Sequence, residues 1–202
     1  MVMAFDAQGE PSDEALMVLY ANGDRHAALA LTRRVTPRVM AYAARLLSGD
    51  RAEAEDVAQE TMLRLWRVAP EWRQGETKVT TWAYRVATNL CIDRQRSRGR
   101  RRQMALDDAP EVADGALGAE GRLIEAGRMA ALEAALAGLP DRQRQAVVLR
   151  HLEGMTNPEI AVIMEIGVEA VESLTARGKR ALSAILSGRK AELGYEDDAV
   201  AG

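Results

Sequence analysis

Arg85, Asn89, Asp93 and Arg96 recur every three or four residues, and the segment just ahead of them carries Trp72, Arg73, Gly75 and Lys78. At that spacing the amide, carboxylate and guanidinium groups share one side of a helix, where they can meet base edges and phosphates. Tyr84, Thr88 and Gln95 lie beside them. Indole rings and basic side chains suit unpaired bases, because stacking tolerates any base and the base edges then supply selectivity. Trp66, Trp72 and Trp82 can alternatively form a shared core cluster. Arg94, Arg96, Arg98, Arg100, Arg101 and Arg102 follow; each can neutralise a phosphate and release counterions, or the cluster can be a solvated helix end.

The net charge of -3 conceals a sharp segregation. Residues 24–102 hold 17 Lys and Arg against nine Asp and Glu, whereas residues 1–23 hold four acids and no base. Residues 103–121 carry Asp107, Asp108, Glu111, Asp114 and Glu120 without a base, and residues 122–187 balance at eight of each sign. A basic module between acidic stretches points to a polyanionic partner.

Catalysis finds little support. The chain has no glycine-rich phosphate loop, no G-x-S-x-G elbow and no His or Cys pairing at ligand spacing. A single cysteine, Cys91, excludes an internal disulfide framework, and His26 and His151 do not suffice for a usual zinc site. No enzyme activity, metal or cofactor is expected. Cys91 falls on an apolar helix face and reads as a small core residue, with a redox sensor as the alternative. No apolar run approaches the ~20 residues of a membrane span, and the acidic N-terminus is not a secretory signal. A soluble cytoplasmic chain without membrane insertion is expected.

The groups singled out need helices to position them. Alanine occupies 36 of 202 positions and aromatic residues only 4%, a composition that predicts an all-α protein. Ser12-Asp13-Glu14 starts a short helix that Gly23 closes. Asp24 can cap the next, whose apolar positions Ala27, Ala28, Leu31, Val35, Val39, Tyr42, Ala43, Leu46 and Leu47 recur at helical spacing until Gly49, with a kink expected at Pro37. A third runs from about Arg51 to Ala69, burying Ala54, Val57, Ala58, Thr61, Leu65 and Val68. It turns Glu53, Asp56, Glu60, Arg64 and Arg67 outward. Residues 71–79 read as a loop, and Thr80 or Thr81 opens a fourth helix with Trp82, Ala83, Val86, Ala87, Leu90 and Cys91 on its apolar side.

After this module comes a stretch with Pro110, three glycines and uniform negative charge, a flexible linker by composition. A helix from Arg122 to Ala137 follows, then one from Pro140 to about His151. Thr156 and Glu159 form a capping box with Pro158 in the first turn. The short helix Asn157 to Met164, the turn Glu165-Ile166-Gly167 and a longer helix from Val168 to Leu186 have the order of a helix-turn-helix. The expected organisation is therefore two small helical domains on a flexible linker. It comprises an extension with a short helix (1–23), a first domain (24–102), the acidic linker (103–121), a helix-turn-helix domain (122–187) and a tail (188–202).

The run Ala54-Glu55-Asp56-Val57-Ala58-Gln59-Glu60, continued by Leu63, Leu65 and Trp66, resembles the polymerase-binding helix of bacterial sigma factors of the extracytoplasmic-function group, in the sigma-70 family. Trp82, Arg85-Val86-Ala87, Asn89, Asp93 and Arg96 resemble that group's promoter-melting helix. Leu139-Pro140, Arg144, Leu149, Glu153-Gly154-Met155-Thr156 and Glu159-Ile160-Ala161 are similar to its second DNA-binding region. The resemblance covers roughly residues 24–102 and 131–186, in the family's order.

The resemblance implies a chain that binds core RNA polymerase, recognises promoter DNA and helps open it, with an anti-sigma factor as a further partner. On it, Glu53, Asp56, Gln59, Glu60, Leu63 and Arg64 would contact the clamp helices of the largest polymerase subunit. Trp72, Arg73, Lys78, Thr81, Arg85, Asn89 and Arg96 would engage the -10 element as a single strand. Thr156, Glu169, Glu172, Ser173, Arg177, Lys179 and Arg180 would meet the -35 element. The sequence departs from the family at Ala170-Val171-Glu172-Ser173-Leu174. There Glu169 and Glu172 place carboxylates that repel phosphate but can accept a hydrogen bond from cytosine N4. A dimeric helix-turn-helix regulator of duplex operators, or an RNA-binding protein using the arginine cluster, are the other readings. The first needs a dimer-forming face, and the chain shows no long heptad to supply one.

Overall fold

The computed structural model describes residues 10–73, 75–104 and 120–187. The expected linker falls, for residues 105–119, outside the described residues, as do the tail and residues 1–9.

The first three helices start where a short polar side chain can satisfy the first free N–H groups. Ser12 accepts a bond of 3.2 Å from the Ala15 N–H and opens α1, Asp13–Ala21. Asp24 accepts from His26 at 2.8 Å and Ala27 at 3.3 Å at the head of α2, Arg25–Leu46, which continues through Pro37. Ser48 (φ 57°) and Gly49 (φ 88°) turn the chain with two successive left-handed residues. Asp50 then accepts from Glu53 at 3.0 Å to begin α3, Arg51–Val68. Proline lacks the N–H that a longer helix would need, and Pro70 sits in a 3-10 turn, Ala69–Glu71. The fourth helix, α4, runs Val79–Met104, beginning one residue earlier than the threonines suggest. The Glu14 carboxylate of α1 accepts from the Val79 N–H at 3.1 Å and so caps it.

The α2 residues Leu31, Val35, Val39, Tyr42 and Ala43 pack with Ala54, Val57, Ala58 and Leu65 of α3 and Ala83, Tyr84, Ala87 and Cys91 of α4. Met62 of α3 is buried, whereas Val68, expected in the stripe, only packs at the margin. Helical periodicity thus builds a three-helix core, with α1 laid across it.

The C-terminal half comprises α5 (Glu120–Ala137), α6 (Asp141–Val147), α7 (Asn157–Met164) and α8 (Val168–Ser187). Between α6 and α7 the chain widens into a π-helical turn, Val148–Leu152, where the sequence suggests one uniform helix to His151. The core is aliphatic: Leu136, Leu139, Val147, Val148, Leu149, Ile160, Ile163, Met164 and Val171 are buried. The α7–turn–α8 order of a helix-turn-helix is present, and its turn holds Glu165 in the left-handed region (φ 54°, ψ 49°).

The two halves touch. Helix α7 packs on α4, and α5 and α6 approach α2. Their buried apolar residues form one continuous cluster.

Candidate nucleic-acid interface

On α3, burial of Ala54, Val57, Ala58, Thr61, Met62 and Leu65 forces the remaining residues outward. Asp56, Gln59, Leu63 and Arg64 are exposed, and Leu63 leaves half its surface in water (50%). Arg64 Nε donates to Glu60 at 2.7 Å and holds the Glu60 carboxyl below the usual range against an opposing desolvation, with Arg67 and Arg94 adding to the effect. Gln59 donates to Glu55 at 3.3 Å. The outcome is an apolar side chain ringed by acids, an amide and one cation.

Glu53 departs from this face. It is half-buried and accepts from Arg94 of α4 at 2.5 Å, with Arg98 3.5 Å away. Arg98 also pairs with Asp50. The Glu53 N–H holds the Asp50 carboxyl below its usual range; burial works against it, and Arg98 reinforces it. Two arginines of the terminal cluster therefore fasten α4 to the start of α3 and are not both free for phosphate. Arg96 and Arg100 are exposed.

The three tryptophans do not form one cluster. Trp66 stacks at a tilt on Tyr20 (centroids 4.5 Å apart), while Trp72 meets Trp82 edge to face at 6.4 Å. All three are partly buried against the core. The Trp72 Nε1 is buried without a protein partner. Ahead of α4, Arg73 is exposed, 3.6 Å from Glu76. Lys78 Nζ lies 2.7 Å from Glu159 of α7, which holds its ammonium above the usual lysine range. Arg85 reaches the Glu165 Oε1 with two donors, Nε at 3.1 Å and Nη2 at 2.6 Å. Asn89 is exposed.

Thr81, expected to face a DNA strand, is instead 4% exposed, its hydroxyl enclosed without a partner. Tyr84, Thr88 and Gln95, placed beside the polar face by spacing, also serve the interior. Tyr42 and Thr88 share a hydroxyl–hydroxyl bond of 2.7 Å, and Gln95 donates to the Leu46 carbonyl at 2.8 Å. Tyr84 donates to Glu153 of the C-terminal half. Burial, together with that carboxylate, drives the Tyr84 phenol far above its ordinary value, so it stays a donor. Cys91 is fully buried, and desolvation pushes its thiol up to about 12.

On α8, Glu169, Glu172, Ser173, Arg177, Lys179 and Arg180 are exposed, while Val171 and Gly178 face the core. Asn157 donates to Glu172 at 3.3 Å and Arg177 to the Ser173 carbonyl at 3.2 Å. The Thr156 hydroxyl donates to Glu159 at 2.7 Å, so it is spent on the cap of α7. Desolvation works to raise the Glu159 pKa, but bonds from Lys78 and Thr156 prevail and hold it low. Lys179 lies on another flank, at the rim of an apolar cavity of about 210 Å³ lined by Leu132, Leu136, Val147, Leu152 and Leu182. His151 shares that rim, and desolvation, aided by Lys179 and Arg150, keeps its pKa low.

Sequence reasoning missed the charged seam between the halves. Arg45 lies 3.1 Å from Glu133 and 3.5 Å from Glu153, and Arg38 is 3.9 Å from Glu153. These pairs join residues about a hundred positions apart, for which local spacing carries no signal. Among the described residues no cluster of three or more His, Cys, Asp or Glu could hold a metal, and no helix is long and apolar enough to cross a membrane.

The model of sigma-70 region 2 matches residues 31–101 and that of sigma-70 region 4 matches residues 129–182. The chain is 35% identical over 200 residues to the ECF RNA polymerase sigma factor SigE of Mycolicibacterium smegmatis, covering 91% of this chain and 72% of that protein. It is 31% identical over 184 residues to SigM of Mycobacterium tuberculosis, covering 91% and 89%. Two solved structures share the fold. One is CnrH in complex with the cytosolic domain of CnrY (TM-score 0.63, 24% identity, 87% of this chain and 97% of that one). The other is the sigma factor RpoE of Bartonella quintana with the anti-sigma factor NepR (TM-score 0.61, 22% identity, 75% and 91%). The chain belongs to the extracytoplasmic-function group of the sigma-70 family. It is a sigma factor, a polymerase-binding protein that directs promoter recognition and DNA melting.

Proposed function

We propose that the residues divide this work between three surfaces of one cytoplasmic, non-catalytic polymerase subunit. The α3 face of Asp56, Gln59, Glu60, Leu63 and Arg64 docks on the clamp helices of the largest subunit. The half-exposed Leu63 among polar neighbours is the observation that carries this assignment. An apolar anchor inside a polar rim is how protein interfaces concentrate affinity. Glu53 contributes indirectly, by holding α4 to α3.

The loop with Trp72, Arg73 and Lys78, followed by Arg85, Asn89 and Arg96 on α4, engages the melted -10 strand. The exposure of Arg73, Lys78, Arg85, Asn89 and Arg96 supports that placement. The outward side of α8, with Glu169, Ser173, Arg177 and Arg180, enters the major groove at -35, flanked by Glu172. An anti-sigma factor controls access; CnrH and the Bartonella quintana RpoE are each held by a partner in their structures.

Run-off transcription with core polymerase on sheared genomic DNA of the source organism tests the proposal. Specific starts should appear with the chain and weaken when Arg85 or Asn89 is replaced by alanine. Equal specific transcription by those variants would overturn the α4 assignment, and loss-free transcription by Leu63→Asp would overturn the docking face.

A further inference from the structure

The N–H of Val79 opens α4 in a place that water does not reach, since Val79 is fully buried. A buried N–H left without an acceptor is costly. The residue ahead of it, Lys78, carries a side chain that only donates, so it cannot act as an ordinary N-cap. The acceptor comes from another helix: Oε1 of Glu14 on α1, 3.1 Å away. Its negative charge suits the positive end of α4 and adds to the pull of Glu159 on the Lys78 ammonium.

The same short helix holds the other side of the loop. Tyr20 of α1 stacks on Trp66 of α3, and α1 packs against the 3-10 turn Ala69–Glu71. The Trp72 N–H donates to the Ala69 carbonyl of that turn at 3.1 Å. Trp72, Arg73 and Lys78 thus lie between two points fastened to one helix. That helix has little freedom of its own. Leu16 and Met17 are buried in the core, and Arg34 of α2 donates to the Pro11 carbonyl at 2.8 Å and to Asp13 at 3.4 Å. All of α1 precedes residue 31, where the match to sigma-70 region 2 begins.

We propose that α1 is a two-ended brace for the residues that meet the melted strand, with Glu14 as its positioning residue. Glu14 touches no DNA; it fixes where α4 begins, and so the place of Lys78 relative to Trp72 and Arg73. This inference rests on the assignment of those three residues to the -10 strand. A loop already held in its bound shape loses less freedom on binding. Without the Glu14 oxygen the Val79 N–H reaches water only if the first turn of α4 frays, and Lys78 moves with that turn. None of these contacts involves the docking residues Asp56 and Leu63 of α3.

The test uses holoenzyme assembled from core polymerase and the full chain. The probe is a fluorescein-labelled fork-junction DNA that carries the -10 strand unpaired, copied from a start that run-off transcription maps. Glu14→Ala should weaken binding of this DNA about tenfold, ~1.4 kcal/mol, and leave competition for core polymerase within about twofold of the parent. Glu14→Gln keeps an acceptor oxygen at the same reach and should hold DNA affinity within about threefold. Tyr20→Leu removes the ring stack, keeps an apolar side chain and should reproduce the selective loss in smaller measure. Equal losses of DNA and core affinity in Glu14→Ala would mean general destabilisation and overturn the positioning role. So would a Glu14→Gln variant as weak as Glu14→Ala. DNA binding like the parent's in Glu14→Ala or in Tyr20→Leu overturns the brace. Trp72→Ala and Arg73→Ala separate this inference from the assignment beneath it. If both bind like the parent, the -10 assignment has failed and the brace falls with it. If they lose affinity and Glu14→Ala does not, the brace alone has failed.

Discussion

The guanidinium of Arg144, 5% exposed in α6, reaches the end of α2: Nη1 lies 3.4 Å from the Leu46 carbonyl and 3.2 Å from the Ser48 hydroxyl. Its other nitrogen donates to Asp141 at 2.5 Å and the Leu139 carbonyl at 3.5 Å. One side chain therefore bonds the loop that starts its own helix and shares with Gln95 the carbonyl that closes a helix of the other half. Arg144→Met keeps most of the stem volume and removes every donor. Gln95 still donates to the Leu46 carbonyl, so the buried acceptor that loses its side-chain donor is the Leu139 carbonyl. An unsatisfied buried acceptor costs about 1–3 kcal/mol, so this variant should lower the midpoint of thermal unfolding. It should also separate the halves in small-angle scattering. A more stable variant with an unchanged envelope would show that Arg144 couples nothing.

The docking face on α3 makes a prediction of opposite character. Leu63 and Asp56 are exposed and lie outside the buried core cluster. Surface substitutions of this kind stay within about ±0.5 kcal/mol of the parent stability. Leu63→Asp and Asp56→Lys should leave the urea midpoint unmoved while each weakens competition for core polymerase by about tenfold, ~1.4 kcal/mol. Affinity equal to that of the parent chain would relocate the interface.

The contrast between those two sites marks how far the sequence can be read. Helix ends were legible where they depend on neighbours within four residues: Ser12 and Asp24 cap where expected, and α7 spans Asn157–Met164 as the capping box implies, whereas α4 is capped by the distant Glu14. Exposure on α3 followed from its 3.6-residue stripe. Direction on α4 was harder, because that helix is packed by α1, α2, α3 and α7. A polar residue on so crowded a helix can turn inward to a partner, as Thr88 does toward Tyr42 and Gln95 toward Leu46. Arg94 and Arg98 look like free phosphate ligands in a linear reading, since Glu53 and Asp50 precede them by more than forty residues. The cross-half contacts of Glu153 depend on tertiary approach alone.

Asp50 gives the chain a defined acid limb. Its folded pKa lies below 3.8, chiefly through the Glu53 N–H, with burial opposing and Arg98 assisting. A depressed carboxylate contributes stability that is complete above the unfolded value and is lost as pH falls through the folded one. Asp50→Ala should therefore cost about 1 kcal/mol near neutrality, the usual worth of an N-cap. The difference between parent and variant should shrink as pH drops below about 4. Urea titrations across that interval check it; a gap that widens toward acid would contradict the sign.

Gly178 tests the seating of α8. Replacing glycine by alanine inside a helix ordinarily gains about 1 kcal/mol of helix propensity. A Cβ here would stand 2.6 Å from Val147 Cγ2, 3.1 Å from the Gln143 carbonyl oxygen and 3.3 Å from Gln143 Cβ. Val147 is buried and β-branched, so its methyl has few other positions to take. Overpacking a core of this density costs about 1–3 kcal/mol, which exceeds the propensity gain. Gly178→Ala should lower the thermal midpoint and tilt α8 off α6. Arg177 and Arg180, fixed to the same helix, would shift with it. Transcription from a promoter that depends on its -35 element should fall more than transcription from one that does not. A stabilised variant with an unchanged ratio would mean that α6 yields to the methyl and that α8 keeps its place.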